Sequence, residues 1–403
     1  MAGDFASIRA LTDRHVMRTY NRLPIAFVRG EGCRVWDTEG RSYLDFVGGL
    51  AVNSLGHGHP WVVGAIREAA GNILHTSNLY HIGPQAELAA RLAALSGLDR
   101  AFFCNSGAEA NEAAIKLARR FGRRNGSNRY KIITAERSFH GRTLGALTAT
   151  AQSKYHDGFD PLPEGFVYVP FNDVAALSAA IDDETAAVML EPIQGEAGVY
   201  PADAAYLPAV RELCDAHGLL LILDEVQTGL GRTGKLFAFE HYGVRPDVVT
   251  LAKALGGGVP IGAMLATEDA AAAFEPGNHA STFGGNPFAC RVALVVLDAI
   301  TGDGLPEKAA AAGEYLRRGL ERIGQRSGFI REVRGLGLMV GVELAGLQAP
   351  AVQAEAQSRG LLVNAIGQSI LRLLPPLIVS EAELDEALAI LEAALEAAAP
   401  VQG

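Results

Sequence analysis

Cysteine is scarce in this chain. Four residues, Cys33, Cys104, Cys214 and Cys290, are scattered through 403, and no two form a C-x-x-C pair. That spacing gives neither a zinc ribbon nor a disulfide framework, so reduced thiols are expected. Long apolar runs are missing too, since none approaches the ~20 residues needed to span a bilayer. The opening MAGDFASIRA lacks a basic stretch followed by an apolar core, so no secretory signal is expected and the chain reads as soluble and cytoplasmic. Basic blocks are absent: 35 Lys and Arg against 45 Asp and Glu leave a net charge of −10. A nucleic-acid backbone binder needs clustered cations, so that class is excluded. Glycine and proline, at 46 and 18, show no strict period, which excludes collagen-like chains.

What is present reads as a folded α/β protein. The chain is 49% hydrophobic and 20% charged, and at roughly 150 residues per domain its length predicts two or three domains. At this size roughly 75% of the unfolded surface can be buried, so the core needs no covalent or metal staple. Short strands are expected at 34–37 and 42–46. From about residue 60 to 290 helices (60–74, 85–95, 108–120, 204–217) alternate with strands (101–105, 130–134, 166–169, 186–191, 219–224, 248–251, 264–267). Several of these strands are apolar without alternation, the pattern of a parallel sheet covered on both faces. Further strands are expected around 337–344 and 369–373, and a terminal helix over 381–398. The reading is a large domain (59–290) with a mostly parallel central sheet flanked by helices. A smaller α+β domain (291–403) is joined by the N-terminal segment (1–58).

In open α/β sheets ligands lie beyond the carboxyl ends of the strands, so the residues after each strand carry the chemistry. After 101–105 comes Ser106-Gly107-Ala108-Glu109, opening a helix. Its free N–H groups suit a phosphate, although an ordinary N-cap fits equally well. The run Leu219–Leu223 ends in Asp224-Glu225-Val226-Gln227, where a carboxylate at a buried strand end requires a cation or hydrogen-bond donors. Six lysines occur (116, 131, 154, 235, 253 and 308), and Lys253 alone sits between an apolar strand and a glycine run, Gly256-Gly257-Gly258. Desolvation there favours the neutral, nucleophilic amine. An acid, a reactive lysine and a phosphate-ready helix start match the needs of pyridoxal phosphate. Phe139, in Ser138-Phe139-His140-Gly141-Arg142-Thr143, can lie flat against its ring.

Rival motifs are weaker. Gly229–Lys235 matches G-x-x-x-x-G-K, but Leu236 stands where a P-loop needs Ser or Thr, so a nucleotide hydrolase is the lesser alternative. His57 and His59, in a Gly/Pro-rich run without a nearby acid in sequence, read as a turn, and no metal is expected.

The runs Ser106–Ala114, Ser138–Thr143, Glu191-Pro-Ile-Gln-Gly-Glu196, Asp224–Gly229 and Leu251-Ala-Lys-Ala-Leu-Gly256 resemble the class III aminotransferases of the fold-type I pyridoxal-phosphate enzymes. The likeness covers nearly the whole chain. Thr76–Tyr80, Ser281–Asn286 and Arg372–Pro376 are most similar to the acetylornithine branch. The resemblance implies pyridoxal 5′-phosphate held by Gly107, Ala108, Phe139, Asp224, Glu225, Val226, Gln227 and Lys253, with Lys253 as the Schiff-base lysine and Asp224 on the ring nitrogen. It implies that Thr282 reaches the phosphate of a neighbouring subunit, so a homodimer is expected. Arg142, Ser281, Arg372 and Glu196 are implied on the substrate side, with Glu196 covering Arg372 until glutamate arrives. The implied reaction exchanges the δ-amine of acylated ornithine with 2-oxoglutarate. Ornithine, 4-aminobutyrate and N-succinyl-diaminopimelate remain alternative donors. Ala197 replaces the glycine often found after Glu196.

Overall fold

Strands Thr185–Leu190, Leu220–Asp224 and Val248–Leu251 are buried at every position, as expected of strands covered on both faces. In the computed structural model, which describes residues 3–399, they form the middle of a seven-stranded sheet. Its order is Arg100–Cys104, Gly262–Ala266, Val248–Leu251, Leu220–Asp224, Thr185–Leu190, Lys131–Ala135 and Phe166–Val169. The last five run parallel. Gly262–Ala266 runs antiparallel to both neighbours, a single reversal in the mostly parallel sheet expected from sequence.

Helix Gly107–Gly122 lies on this sheet through Ala110, Ala113, Ala114, Leu117 and Ala118. Spacings of three and four put these residues, four of them alanines, on one face, so the helix axis approaches the strands closely.

A second, four-stranded antiparallel sheet joins Ile330–Leu336, Met339–Leu344, Ile370–Leu373 and Asn364–Ile366. Helices Leu305–Ser327 and Ala349–Ser358 pack on it, and Glu381–Ala397 packs on both of these helices. The last begins in a capping box between Ser380 and Glu383. Strands Phe27–Glu31, Arg34–Asp37 and Ser42–Asp45 form a third sheet with Leu361–Leu362, which pairs parallel to Ser42–Asp45. The chain's beginning is thus tied to its last quarter. The 290/291 boundary expected from sequence falls inside helix Pro287–Gly302, which packs on Pro60–Ala70 and Gly83–Ser96.

Helix Phe5–His15 was not anticipated. It buries no side chain; Asp4 caps it by accepting from the Ser7 amide. Among the described residues no helix is long and apolar enough to cross a membrane, and no cluster of three His, Cys, Asp or Glu is arranged to hold a metal ion. His57 has an acid beside it after all, with Nε2 2.9 Å from Asp45 Oδ2.

Candidate active site

The carboxyl ends of four parallel strands, together with the end of Arg100–Cys104, open onto a cavity of about 470 Å³. Its walls include Gly107, Ala108, Asn111, Phe139, His140, Arg142, Glu191, Asp224, Val226, Gln227 and Lys253. This is where an open α/β sheet places its ligand.

The helix start at 107 carries the N-cap and still leaves amides for the second sequence reading. Ser106 Oγ accepts from the Glu109 amide at 3.2 Å, and Glu109 turns back to accept from Asn105 Nδ2 at 2.9 Å. The acid of the first turn is therefore occupied elsewhere. The amides of Gly107 and Ala108 have no intrahelical acceptor, and both residues line the cavity. A Cβ on Gly107 would lie 2.7 Å from Val226 Cγ1, so only glycine lets the helix start close against that wall.

Asp224 is 4% exposed and its burial is offset by three donors. Oδ2 accepts from Asn111 Nδ2 at 2.7 Å and from His140 Nδ1 at 2.8 Å; Oδ1 accepts from the Val226 amide at 3.0 Å. Thr250 Oγ1 donates to Asn111 Oδ1 at 2.7 Å, fixing the amide's orientation. Burial alone would lower the His140 pKa, but the Asp224 hydrogen bond and charge outweigh it and raise it. The network fixes the position and orientation of the carboxylate at the end of its strand.

Lys253 follows strand Val248–Leu251 with φ +40°, a left-handed conformation that side-chain-bearing residues rarely adopt. Such strain persists where the surroundings impose it, and it concentrates at functional positions. Burial takes the amine down to about 8, aided by Arg372 and opposed by Glu196, Asp224 and Glu191.

A second cluster adjoins the lysine. Arg372, 1% exposed, donates from Nη1 to Glu196 Oε1 at 2.6 Å, to the Gly195 carbonyl at 3.1 Å and to Gln227 Oε1 at 3.2 Å. Its Nη2 donates to Asn364 Oδ1 at 2.8 Å. Burial pushes the Glu196 pKa up, but Arg372 and Lys253 outweigh it and leave it lowered. Arg142 differs: its contacts are aromatic faces, those of Tyr155 at 3.8 Å and Phe139 at 5.6 Å. One arginine is thus neutralised internally and the other is open to an incoming carboxylate.

Five residues expected at the site do not line this cavity: Glu196 and Arg372 of the adjoining cluster, and Glu225, Ser281 and Thr282. Glu225 points the other way along its strand, where its carboxylate accepts from the amides of Ala238 and Phe239, both at 2.8 Å. Glu225 directly follows the strand's last residue, Asp224, and its amide still pairs with the Thr250 carbonyl, so alternation along the extended backbone turns its side chain to the opposite side. Ser281 and Thr282 line a separate surface cavity of about 760 Å³. Ser281 Oγ accepts from Asn105 Nδ2 at 3.3 Å, on the rim shared with the first cavity. Conversely, sequence reasoning passed over Asn111, His140 and Glu191. Asn111 stands one helical turn after Gly107, and His140 follows Phe139, so spacing alone could have found them.

The P-loop alternative fails on geometry. The amides of Gly229, Gly231 and Gly234 already donate to carbonyls of Glu225, Leu236 and Gly231, and residues 229–234 are buried.

The cavity suits pyridoxal phosphate on its own terms. It offers an acid fixed by three donors, a desolvated amine, free helix-start amides for a phosphate, and apolar walls in Phe139 and Val226 for a flat ring.

A family model described as aminotransferase class-III matches residues 16–395. The acetylornithine aminotransferase of Caldanaerobacter subterraneus subsp. tengcongensis is 57% identical over 94% of this chain and 96% of its own length. That of Methanocaldococcus jannaschii is 52% identical over 93% and 94%. Among solved structures, the ornithine aminotransferase from Toxoplasma gondii ME49 superposes with TM-score 0.95 at 33% identity, covering 98% of this chain and 96% of that one. The acetylornithine aminotransferase from Elizabethkingia anophelis gives 0.90 at 37%, covering 98% and 100%. The chain belongs to the class-III aminotransferases and is a pyridoxal-phosphate-dependent transaminase of fold type I.

Proposed function

We propose that this enzyme moves the δ-amino group of N2-acetylornithine to 2-oxoglutarate, giving N-acetylglutamate 5-semialdehyde and glutamate, a step of arginine biosynthesis. The observation that carries the reading is the asymmetry of the two arginines. Acetylornithine presents one carboxylate and no charge beside its reacting carbon; glutamate presents a carboxylate at both places. Arg142 is open to the shared distal carboxylate, whereas Arg372 is neutralised by Glu196 at 2.6 Å. Glu196 stays on Arg372 for the first substrate and yields to the α-carboxylate of the second. The curated relatives at 52–57% identity are acetylornithine aminotransferases, which favours the acylated donor over free ornithine.

In this reading Lys253 and Asp224 are the catalytic pair. Gly107 and Ala108 would hold the phosphate through their amides, Phe139 and Val226 would enclose the ring, and Gln227 would serve its phenolic oxygen. Bound pyridoxal 5′-phosphate supplies an aldehyde that takes the amino group and a ring that accepts an electron pair. Asp224 keeps a proton on the ring nitrogen. Lys253 Nζ, with its proton affinity reduced by burial, would take the proton from the substrate carbon and deliver it to the cofactor carbon that bore the aldehyde oxygen, so that the amino group stays behind when the oxo product leaves. The two substrates use the site in turn, each released before the next arrives.

The active unit is a homodimer in which Thr282 of a second copy completes the phosphate site. Support comes from its placement outside the cavity and from the exposure of nearby apolar side chains, Leu79 at 85% and Phe283 at 61%. A panel of amine donors with 2-oxoglutarate tests the substrate. Acetylornithine is expected to give the highest kcat/KM; a higher value for ornithine, 4-aminobutyrate or N-succinyl-diaminopimelate would reassign the enzyme within its family.

A further inference from the structure

Arg142 faces a demanding task for a side chain without an acid to hold it. A free arginine samples many rotamers, and that freedom is lost when it fixes a carboxylate. The chain answers with aromatic rings. The Arg142 guanidinium lies 3.8 Å from the centroid of Tyr155, closer than the 5.6 Å to Phe139. Tyr155 in turn meets Phe139 edge-on, with centroids 6.1 Å apart and planes at 83°. Phe139 and Arg142 line the cavity, while Tyr155 stands behind them. Lys154 Nζ also lies over the Tyr155 ring, at 4.7 Å.

We infer that Tyr155 is the positioning residue of the substrate-carboxylate reader. Its ring face holds the Arg142 guanidinium toward the cavity, and its edge contact ties that orientation to Phe139. The inference rests on the reading of Arg142 as a carboxylate ligand. A cation over an aromatic face is electrostatically favoured and consumes no carboxylate or carbonyl acceptor, so the guanidinium donors remain for a substrate carboxylate. Tyr155 therefore acts on binding. It orders Arg142 in advance of the substrate without touching the substrate, so its loss should appear in KM and leave kcat in place.

The test measures glutamate kinetics and, by calorimetry on the holoenzyme, the dissociation constant of glutarate, an unreactive diacid. In Tyr155→Leu we expect KM and the glutarate constant to rise about fivefold to tenfold, the equivalent of one cation–π contact, with kcat within about twofold. Tyr155→Phe keeps the ring face and should restore both values to within about twofold. Tyr155→Gln, a second loss of the ring with a polar replacement, should match Tyr155→Leu. The decisive arm is Arg142→Ala, in which Tyr155→Leu should cause no further loss, because a residue acting through another is non-additive with it. Unchanged glutarate binding in both Tyr155→Leu and Tyr155→Gln, or equal loss with and without Arg142, overturns the inference. If Arg142→Ala alone leaves glutarate binding intact, the fault lies instead in the substrate-side role given to Arg142.

Discussion

Replacing Lys253 by methionine should stabilise the cofactor-free enzyme at neutral pH. Methionine keeps most of the apolar stem and shares the strained backbone at φ +40°, so the comparison isolates the charge. In the fold, burial takes the amine from its ordinary 10.5 to about 8. At about 1.4 kcal/mol per pH unit, this corresponds to about 3 kcal/mol. The penalty is full below pH 8, where folded and unfolded chains both carry the proton. Between pH 8 and 10.5 the unfolded chain binds more protons than the folded one, so wild-type stability rises with pH across that window. The advantage of Lys253→Met should therefore fall from about 3 kcal/mol at pH 7 toward zero above pH 10.5. Urea unfolding of both apoenzymes at a series of pH values reads this directly. A difference that does not change with pH, or a wild type more stable than Lys253→Met at pH 7, would refute the desolvation of this amine.

Asp224→Ala should lower both half-reactions by ~10²-fold or more, because the ring nitrogen loses its proton partner; rapid-mixing absorbance checks this, and a loss under tenfold contradicts the role. Arg142→Ala should weaken both half-reactions by about 10- to 100-fold in kcat/KM, the worth of a charge-assisted hydrogen-bonded pair. Arg372→Ala should weaken the glutamate half-reaction selectively, so equal losses in the two halves would end the proposal that Glu196 yields to glutamate. The four thiols are buried, and burial pushes Cys104, Cys214 and Cys290 up to about 12. Iodoacetamide at pH 8 should leave the folded enzyme active and unlabelled by mass spectrometry, and rapid modification would show that one of these sites is open.

Much of the centre was legible because the chemistry sits at the ends of apolar runs. Leu219–Leu223 ending in Asp224, and Val248–Leu251 ending before Lys253, betray buried strands that meet polar groups at one sheet edge. Strands 166–169 and 248–251 match the sequence reading to the residue. Partners brought together by tertiary contact were hidden. Local pattern cannot show that Glu196 meets Arg372 across 176 positions, or that the Asp224 donors come from residues 111 and 140. Nor does an apolar run carry its direction, which is why Gly262–Ala266 gave no sign of running against its neighbours. Glu225 shows the opposite lesson. Its place beside Asp224 suggested a shared role, yet the two-residue period of a strand sends its carboxylate to the amides of 238 and 239.

The account depends above all on which amine meets the cofactor's aldehyde. Borohydride reduction of the holoenzyme followed by peptide mass spectrometry answers it. The reduced pyridoxyl phosphate group should be found on the peptide carrying Lys253, and Lys253→Ala should carry none. Label on any of the other five lysines, or full label and full turnover in Lys253→Ala, would contradict the account.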